Sequence, residues 1–406
     1  MIKRELYLKQ IRNLFDTDFI KVIVGMRRCG KTCLLKSIIE ELKENGVKEE
    51  NIFYISFEMV QYNNISTQEQ LDEIILNLTK DLEGKIYLLF DEIQEVDSWE
   101  KAINSYRASF NCDIYITGSN SKLLSNELAT LLSGRYTKIN LYPFSFSEIL
   151  QYRKEVDNLE LNGEIIKSLF EEYLLFGGMP SLLPIKDYDT KINVLNDIYD
   201  SIIVRDIISR YQIRDIDLFK RFVKYLMNSM GQTFSKKSIT GYLIYENKKT
   251  TRNTVSNFTE YLQESLFSKR VRREDILGKK ILKTEEKYYL NDHGFHHALV
   301  DDNRNWLGRV LENIVFIELI RRNYNVKIGK IKDREINFVC ERNNNRIYVQ
   351  VAYELSSEEV IEREFSPLLD VPDKYDCYVI SLDENLKSRD GIKHLNVIDF
   401  LLGDEI

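Results

Sequence analysis

Gly25-Met26-Arg27-Arg28-Cys29-Gly30-Lys31-Thr32 is the stretch from which the rest of the chain can be read. It fits the pattern G-x-x-x-x-G-K-[ST], a phosphate-binding loop. The apolar run 19–24 before it reads as a strand. Residues 31–45 after it read as a helix, with Leu34, Leu35, Ile38, Ile39 and Leu42 on one face and charge largely opposite, stopped by Gly46. Strand, glycine-bearing loop and helix is the context that the motif requires.

Phosphate chemistry explains the residue types. Gly25 and Gly30 let the backbone curl round an anion without Cβ clashes. The helix that starts at Lys31 points free N–H groups and its dipole at the phosphates. Lys31 reaches the β- and γ-phosphates as a point charge, and the Thr32 hydroxyl is a hard ligand for Mg²⁺. The expected contacts of bound ATP are therefore Gly25, Met26, Arg27, Arg28, Cys29, Gly30, Lys31, Thr32 and Cys33. Arg27 and Arg28 are also candidates for partner contacts, and packing is the plainer role for Cys29 and Cys33.

Farther on, 86–90 is an apolar run followed by Asp91-Glu92. Such a run suits a strand buried on both faces of a parallel sheet, with the acids emerging at its carboxyl end, where open α/β sheets bind ligands. This is a Walker B pattern. Asp91 is expected to hold Mg²⁺ and Glu92 to orient and deprotonate the attacking water. The next strand, 113–117, is tipped by Gly118-Ser119-Asn120. Thr117, Ser119 and Asn120 are candidates for sensing the γ-phosphate, with a plain turn as the alternative. Arg135, before a last strand at 137–141, is a candidate for stabilising transition-state charge, or else a surface arginine.

Composition sets bounds. With 406 residues the chain can hold two to four domains. Its net charge of −7 excludes a globally basic nucleic-acid binder, so any such contact needs a local patch. Five scattered cysteines without a Cys-x-x-Cys pair suggest neither a disulfide framework nor a zinc site. The start, Met1-Ile2-Lys3-Arg4-Glu5, is too charged to open a signal peptide, and no run of 18 apolar residues is present. The expectation is a cytoplasmic protein without a membrane segment.

The loop motif, Phe90-Asp91-Glu92-Ile93-Gln94, Ile116-Thr117-Gly118-Ser119-Asn120, Ser133-Gly134-Arg135 and 141–148 together resemble a large group of prokaryotic AAA-type ATPases with a C-terminal domain of uncharacterised function. The resemblance continues through Phe176-Gly177-Gly178-Met179-Pro180 and 288–294 to the C-terminus. It implies a P-loop NTPase fold and nucleotide chemistry, but little biology.

Residues 151–210 read as a helical connector. From 215 the pattern is three helices, the second at 235–245 with Ser235 as N-cap and the third at 253–266, followed by strands near 268–275 and 285–290. This is the order of a winged helix, whose third helix enters the DNA major groove while the wing touches backbone. Lys248, Lys249 and Arg252 precede or start the third helix. Lys269, Arg270, Arg272, Arg273, Lys279 and Lys280 fall on the wing. Duplex DNA is a candidate partner through Lys248, Lys249, Arg252, Arg270, Arg272 and Arg273; a protein partner is the alternative.

The C-terminal pattern of helix, hairpin, helix and strand from 307 to 382 is similar to the core of the restriction-endonuclease-like (PD-(D/E)xK) fold. That chemistry needs clustered acids around a divalent metal and a lysine two residues beyond the second acidic position. Glu312 and Glu335 are present. Asn337 stands at the first central acid, and Gln350-Val351-Ala352 lacks the lysine. An amide is a poor substitute for a charged Mg²⁺ ligand.

The expected architecture is therefore α/β: an AAA-type P-loop ATPase domain with a parallel sheet over 1–150, a helical connector over 151–210, a winged-helix-like domain over 211–300, and an α/β restriction-endonuclease-like domain without nuclease activity over 301–406. ATP and Mg²⁺ are the expected cofactors. The expected function is ATP hydrolysis coupled to a DNA- or protein-binding module. The alternatives are an ATP-gated metal-dependent nuclease or a nucleotide-switch scaffold with little turnover, and either a monomer or an oligomer.

Overall fold

A computed structural model describes residues 2–80, 82–119, 132, 134–246, 248–278, 280–282, 285–300 and 306–403. Asn120 and Lys279 lie outside the described residues. The chain divides into two compact units, one essentially 1–142 and the other running from 143 to the C-terminus.

The first unit is built on five parallel strands: β1 (Ile20–Val24), β2 (Ile52–Ser56), β3 (Ile86–Asp91), β4 (Cys112–Gly118) and β5 (Tyr136–Asn140). Their order is β2-β3-β4-β1-β5. Every residue of β1 and β3 is buried, as expected for central strands covered on both faces. Helices Glu5–Arg12, Lys31–Glu44, Gln68–Thr79 and Trp99–Ser109 accompany the sheet. The Gln68–Thr79 helix starts with a capping box, in which Thr67 accepts from the Gln70 amide and the Gln70 side chain reaches back. Register then sets the site. Val24 lies opposite Gly118, and Phe90 opposite Ile116. The loop after β1, the acids ending β3 and the tip of β4 therefore reach one edge.

The second unit begins with helices Phe146–Glu155, Gly163–Phe176 and Tyr188–Ser201, the last continuing into a π-helical stretch at Ile202–Ser209. Helices Ile216–Asn228, Lys236–Tyr245 and Arg252–Glu264 follow, and Ser235 caps the middle one through the Ser238 amide. Then β6 (Ser268–Val271) pairs antiparallel with β9 (Lys287–Leu290). The residues between them do not stay with that hairpin. β7 (Arg273–Asp275) and β8 (Lys280–Ile281) edge a seven-stranded sheet, because β7 pairs with β10 (Asn325–Ile331). The sheet continues through β11 (Arg334–Arg342), β12 (Asn345–Val351), β13 (Asp376–Ser381) and β14 (Lys393–Asn396). It thus crosses the domain boundary that the sequence suggests at 300. Helices Leu307–Arg321 and Glu358–Leu369 belong to this part.

Gly177 and Gly178 do more than end a helix. A Cβ on Gly177 would meet Asp292 Oδ1 at 1.9 Å, and one on Gly178 would meet the Phe144 carbonyl oxygen at 2.0 Å. Asp292 accepts from the amides of Gly178 and Gly294, each at 2.9 Å. Asp292→Ala leaves two buried donors without a partner, at roughly 1–3 kcal/mol each. A lowered denaturation midpoint is expected, and an unchanged midpoint would show that the clamp contributes nothing.

Candidate nucleotide site

The phosphate loop is shaped by two glycines and an arginine. Gly30 caps the Lys31–Glu44 helix with φ 102°, a left-handed conformation that costs a residue with a Cβ. Gly25 sits against the last strand of the unit: an added Cβ would stand 2.5 Å from both Cys29 Sγ and the Leu141 carbonyl oxygen. Gly25→Ala is therefore expected to push the loop out of shape and weaken nucleotide binding about tenfold or more. A titration with a fluorescent ATP analogue reads this, and parental affinity would show that the loop yields freely. Arg4 holds the loop from below. It is buried and donates to the Cys29 carbonyl at 3.2 Å and the Tyr142 carbonyl at 2.9 Å.

Met26 and Cys29 have buried side chains, and the Cys29 amide donates to the Met26 carbonyl at 3.3 Å. Arg28 is exposed and has φ 64°. Arg27 lies 3.8 Å from Glu58, and Cys33 is exposed on the helix.

The charged centre is built from three strand ends. Lys31 is buried and donates to the carbonyls of Gly25 (3.2 Å) and Met26 (3.3 Å), and its ammonium lies 3.0 Å from Glu92 Oε1. Glu92 takes a left-handed φ of 59°, a strain of the order of 1–2 kcal/mol for a residue with a side chain. Its other oxygen accepts from the Ser119 amide at 3.1 Å and from Gln94 Nε2 at 2.5 Å. Burial alone would raise the Glu92 carboxyl; Lys31 and Gln94 outweigh it and hold the group below its ordinary range. Burial likewise opposes the charge on Lys31, but Glu92 prevails and keeps the ammonium above its ordinary value.

Asp91 forms the second half of the centre. One oxygen accepts from Thr32 Oγ1 at 2.7 Å and the Tyr54 hydroxyl at 3.0 Å. The other accepts from Thr117 Oγ1 at 2.6 Å, and the Glu92 amide donates to the same Thr117 hydroxyl at 3.0 Å. Thr32 and Asp91 are hard oxygen donors side by side, a set that fits Mg²⁺. The glycine cradle and helix N-terminus beside them fit phosphate. Lys31, Thr32, Asp91, Glu92, Thr117 and Ser119 thus come together as expected from the sequence.

Arg135 does not join them. Its carbonyl accepts from Ile20 at the amino end of β1, at 3.0 Å, whereas the phosphate loop follows the carboxyl end. Five strand residues separate the two by on the order of 15 Å. The exposed Arg135 side chain does not span that distance to the loop of its own chain. Sequence patterning does not point to Tyr54, Gln94 or Arg4. Tyr54 can be placed only once β2 is known to flank β3, Gln94 lies within the Phe90–Gln94 motif without a role, and Arg4 reads in sequence as ordinary N-terminal charge.

This arrangement defines a P-loop nucleotide-binding domain of the ATPase class. Residues 17–150 match the family described as AAA domain, and residues 167–305 match a domain of unknown function, DUF8612. An uncharacterised protein of Haemophilus influenzae is 39% identical over 404 residues, covering 99% of each chain. One from Methanocaldococcus jannaschii is 35% identical over 366 residues, covering 88% of this chain and 78% of its own. The chain belongs to the family of these proteins, and its own residues 17–150 carry the AAA domain. The solved structure of a Walker-type ATPase of Pyrococcus abyssi shares the fold, with TM-score 0.52 and 16% identity over 73% of this chain and 95% of that one. Among the described residues, no helix is long and apolar enough to cross a membrane.

Proposed function

We propose that the protein hydrolyses ATP with Mg²⁺ and couples the cycle to a binding module in its second unit. The observation that carries this reading is the pairing of Lys31 with Glu92 at 3.0 Å beside Thr32 with Asp91 at 2.7 Å. Gly25, Gly30 and the first helical amides cradle the phosphates, and Lys31 leaves Glu92 for the β- and γ-phosphates. Thr32 and Asp91 hold Mg²⁺, which supplies positive charge to the phosphate oxygens. Glu92, released from Lys31, accepts a proton from the attacking water. Thr117 and Ser119 tie the tip of β4 to both acids and so register the change. Any action of Arg135 on a transition state requires a second copy of the chain.

For the second unit we favour a winged-helix-like module that contacts duplex DNA over a narrow footprint. Lys249, Arg252 and Arg272 are exposed. Lys248 is paired with Asp217 at 2.5 Å, Arg270 lies 3.7 Å from Glu286, and Arg273 pairs with Glu285 and, at 3.2 Å, Glu335. Half of the basic residues offered to DNA thus already face acids of their own chain. The test is ATP turnover with and without duplex DNA, in the parent and in Lys249→Ala/Arg252→Ala. Stimulation lost in the variant supports the DNA reading. Turnover indifferent to DNA turns the module towards a protein partner, and no turnover under either condition rejects the ATPase.

A further inference from the structure

The C-terminal sheet gathers acids where its sequence resembles a metal nuclease, and the structure shows what they hold. Glu312 comes from helix Leu307–Arg321 and Glu335 from β11. Both meet one ammonium, that of Lys287 on β9, at 3.2 Å and 2.6 Å. The Lys287 side chain is 5% exposed. The same Glu312 oxygen accepts from the Tyr289 hydroxyl at 2.5 Å, and the second Glu335 oxygen faces Arg273 at 3.2 Å. Two cations from 273–287 thus meet two carboxylates from 312–335.

The neighbouring polar atoms are also engaged. Asn337 Oδ1 accepts from the Val351 amide at 2.9 Å, and Gln350 Oε1 from the Asn337 amide at 3.1 Å. Gln350 Nε2 donates to one oxygen of Glu364 at 2.7 Å, and Arg363 donates to the other at 2.7 Å. A cleft of about 590 Å³, lined by Glu335, Gln350 and Glu364 among others, lies alongside. Solvent and small ions can therefore reach Glu335 and Glu364, whereas Lys287 and Glu312 are buried behind them. Among the described residues, no group of three or more His, Cys, Asp or Glu side chains is placed to hold a metal ion. A divalent cation takes about six oxygen donors, water included, and here Lys287 and Arg273 already occupy the carboxylates that would contribute.

We propose that Lys287 is the resident cation of this carboxylate cluster. Its ammonium takes the place of a divalent metal between Glu312 and Glu335, and the cluster fastens the 268–290 strands to the C-terminal sheet instead of cutting a phosphodiester. Two features support a cation that stays. Burial opposes the charge on Lys287, but the two carboxylates prevail and keep it above its ordinary value. A buried pair that loses one member is also strongly destabilised, because the remaining charge has no partner.

The inference carries a specific consequence: removal of the ammonium exposes two convergent carboxylates and creates a metal site that the parent lacks. The experiment uses the full-length protein without nucleotide. The thermal midpoint and Mn²⁺ binding by electron paramagnetic resonance are measured across a Mn²⁺ titration, and plasmid nicking is assayed in the same buffer. The parent is expected to show no midpoint shift, no Mn²⁺ binding dependent on Glu335 and no nicking.

Lys287→Met is expected to lower the midpoint by roughly 5–15 °C. Added Mn²⁺ should restore much of that loss. Lys287→Met/Glu312→Gln/Glu335→Gln, which removes all three charges, should regain stability without metal and ignore Mn²⁺. A Lys287→Met variant whose midpoint ignores Mn²⁺ would overturn the proposal. So would parental Mn²⁺ binding or nicking that disappears in Glu335→Gln, a comparison that stands even if Lys287→Met fails to fold.

Discussion

Glu92→Gln is expected to retain ATP, bind it more tightly than the parent, and lose turnover by a factor on the order of 10²–10⁴, the usual contribution of a general base. In the described arrangement Lys31 is held by Glu92 at 3.0 Å and by two loop carbonyls. Phosphate must compete with that carboxylate for the ammonium. The amide of Gln preserves shape and can still accept from the Ser119 amide, but it no longer binds Lys31 as an anion. The energy spent on breaking the ion pair therefore falls, while the group that takes a proton from water is gone. Equilibrium titration of a fluorescent ATP analogue and steady-state phosphate release separate the two effects. Unchanged turnover would remove the base assignment. Weakened binding would show that the Lys31–Glu92 pair does not oppose the nucleotide.

Lys31→Ala is expected to weaken ATP binding roughly 100-fold, the loss of charge-assisted contacts worth about 3 kcal/mol, and turnover falls with it. A second effect must be kept apart from the first. Glu92 is mostly buried, and without Lys31 its charge has lost its principal partner, so the apo protein is expected to be less stable as well. The double variant Lys31→Ala/Glu92→Gln removes both charges. It should regain the apo midpoint and still bind ATP poorly. If the double variant regained affinity too, the role of Lys31 would lie in neutralising Glu92 rather than in holding phosphate.

Much of this centre is legible in the sequence. Gly25, Gly30, Lys31 and Thr32 form a local motif whose spacing follows from one turn of backbone and the start of one helix, so sequence alone places them. Asp91 and Glu92 are legible because a fully apolar run that ends in two adjacent acids suits a buried strand opening onto a site and little else. Beyond such local patterns the reading weakens. The strand at Asn325–Ile331 does not stand out in the sequence, although it pairs with β7 on one side and β11 on the other. A short segment of mixed polarity carries little periodic signal, and partners about 50 residues away in sequence leave no mark on it. The order of elements after 268 suggests one hairpin for the wing, whereas its middle residues join another sheet.

The sequence by itself determined the phosphate loop, the acid pair, the alternation of helices and strands in the first unit and the uncharged residues Asn337 and Ala352 where a metal nuclease needs an acid and a lysine. These rest on local geometry and on the chemistry of single residues. Only the tertiary structure decided that β4 lies between β1 and β3 and so brings Thr117 and Ser119 to the acids, that Tyr54 and Arg4 support the site, that Arg135 stands at the wrong end of the sheet, and that Lys287 fills the gap between Glu312 and Glu335. Strand order and register fix Thr117, Ser119, Tyr54 and Arg135, because a parallel sheet puts residues tens of positions apart within one hydrogen bond, whereas Arg4 and Lys287 are placed by packing between separate elements.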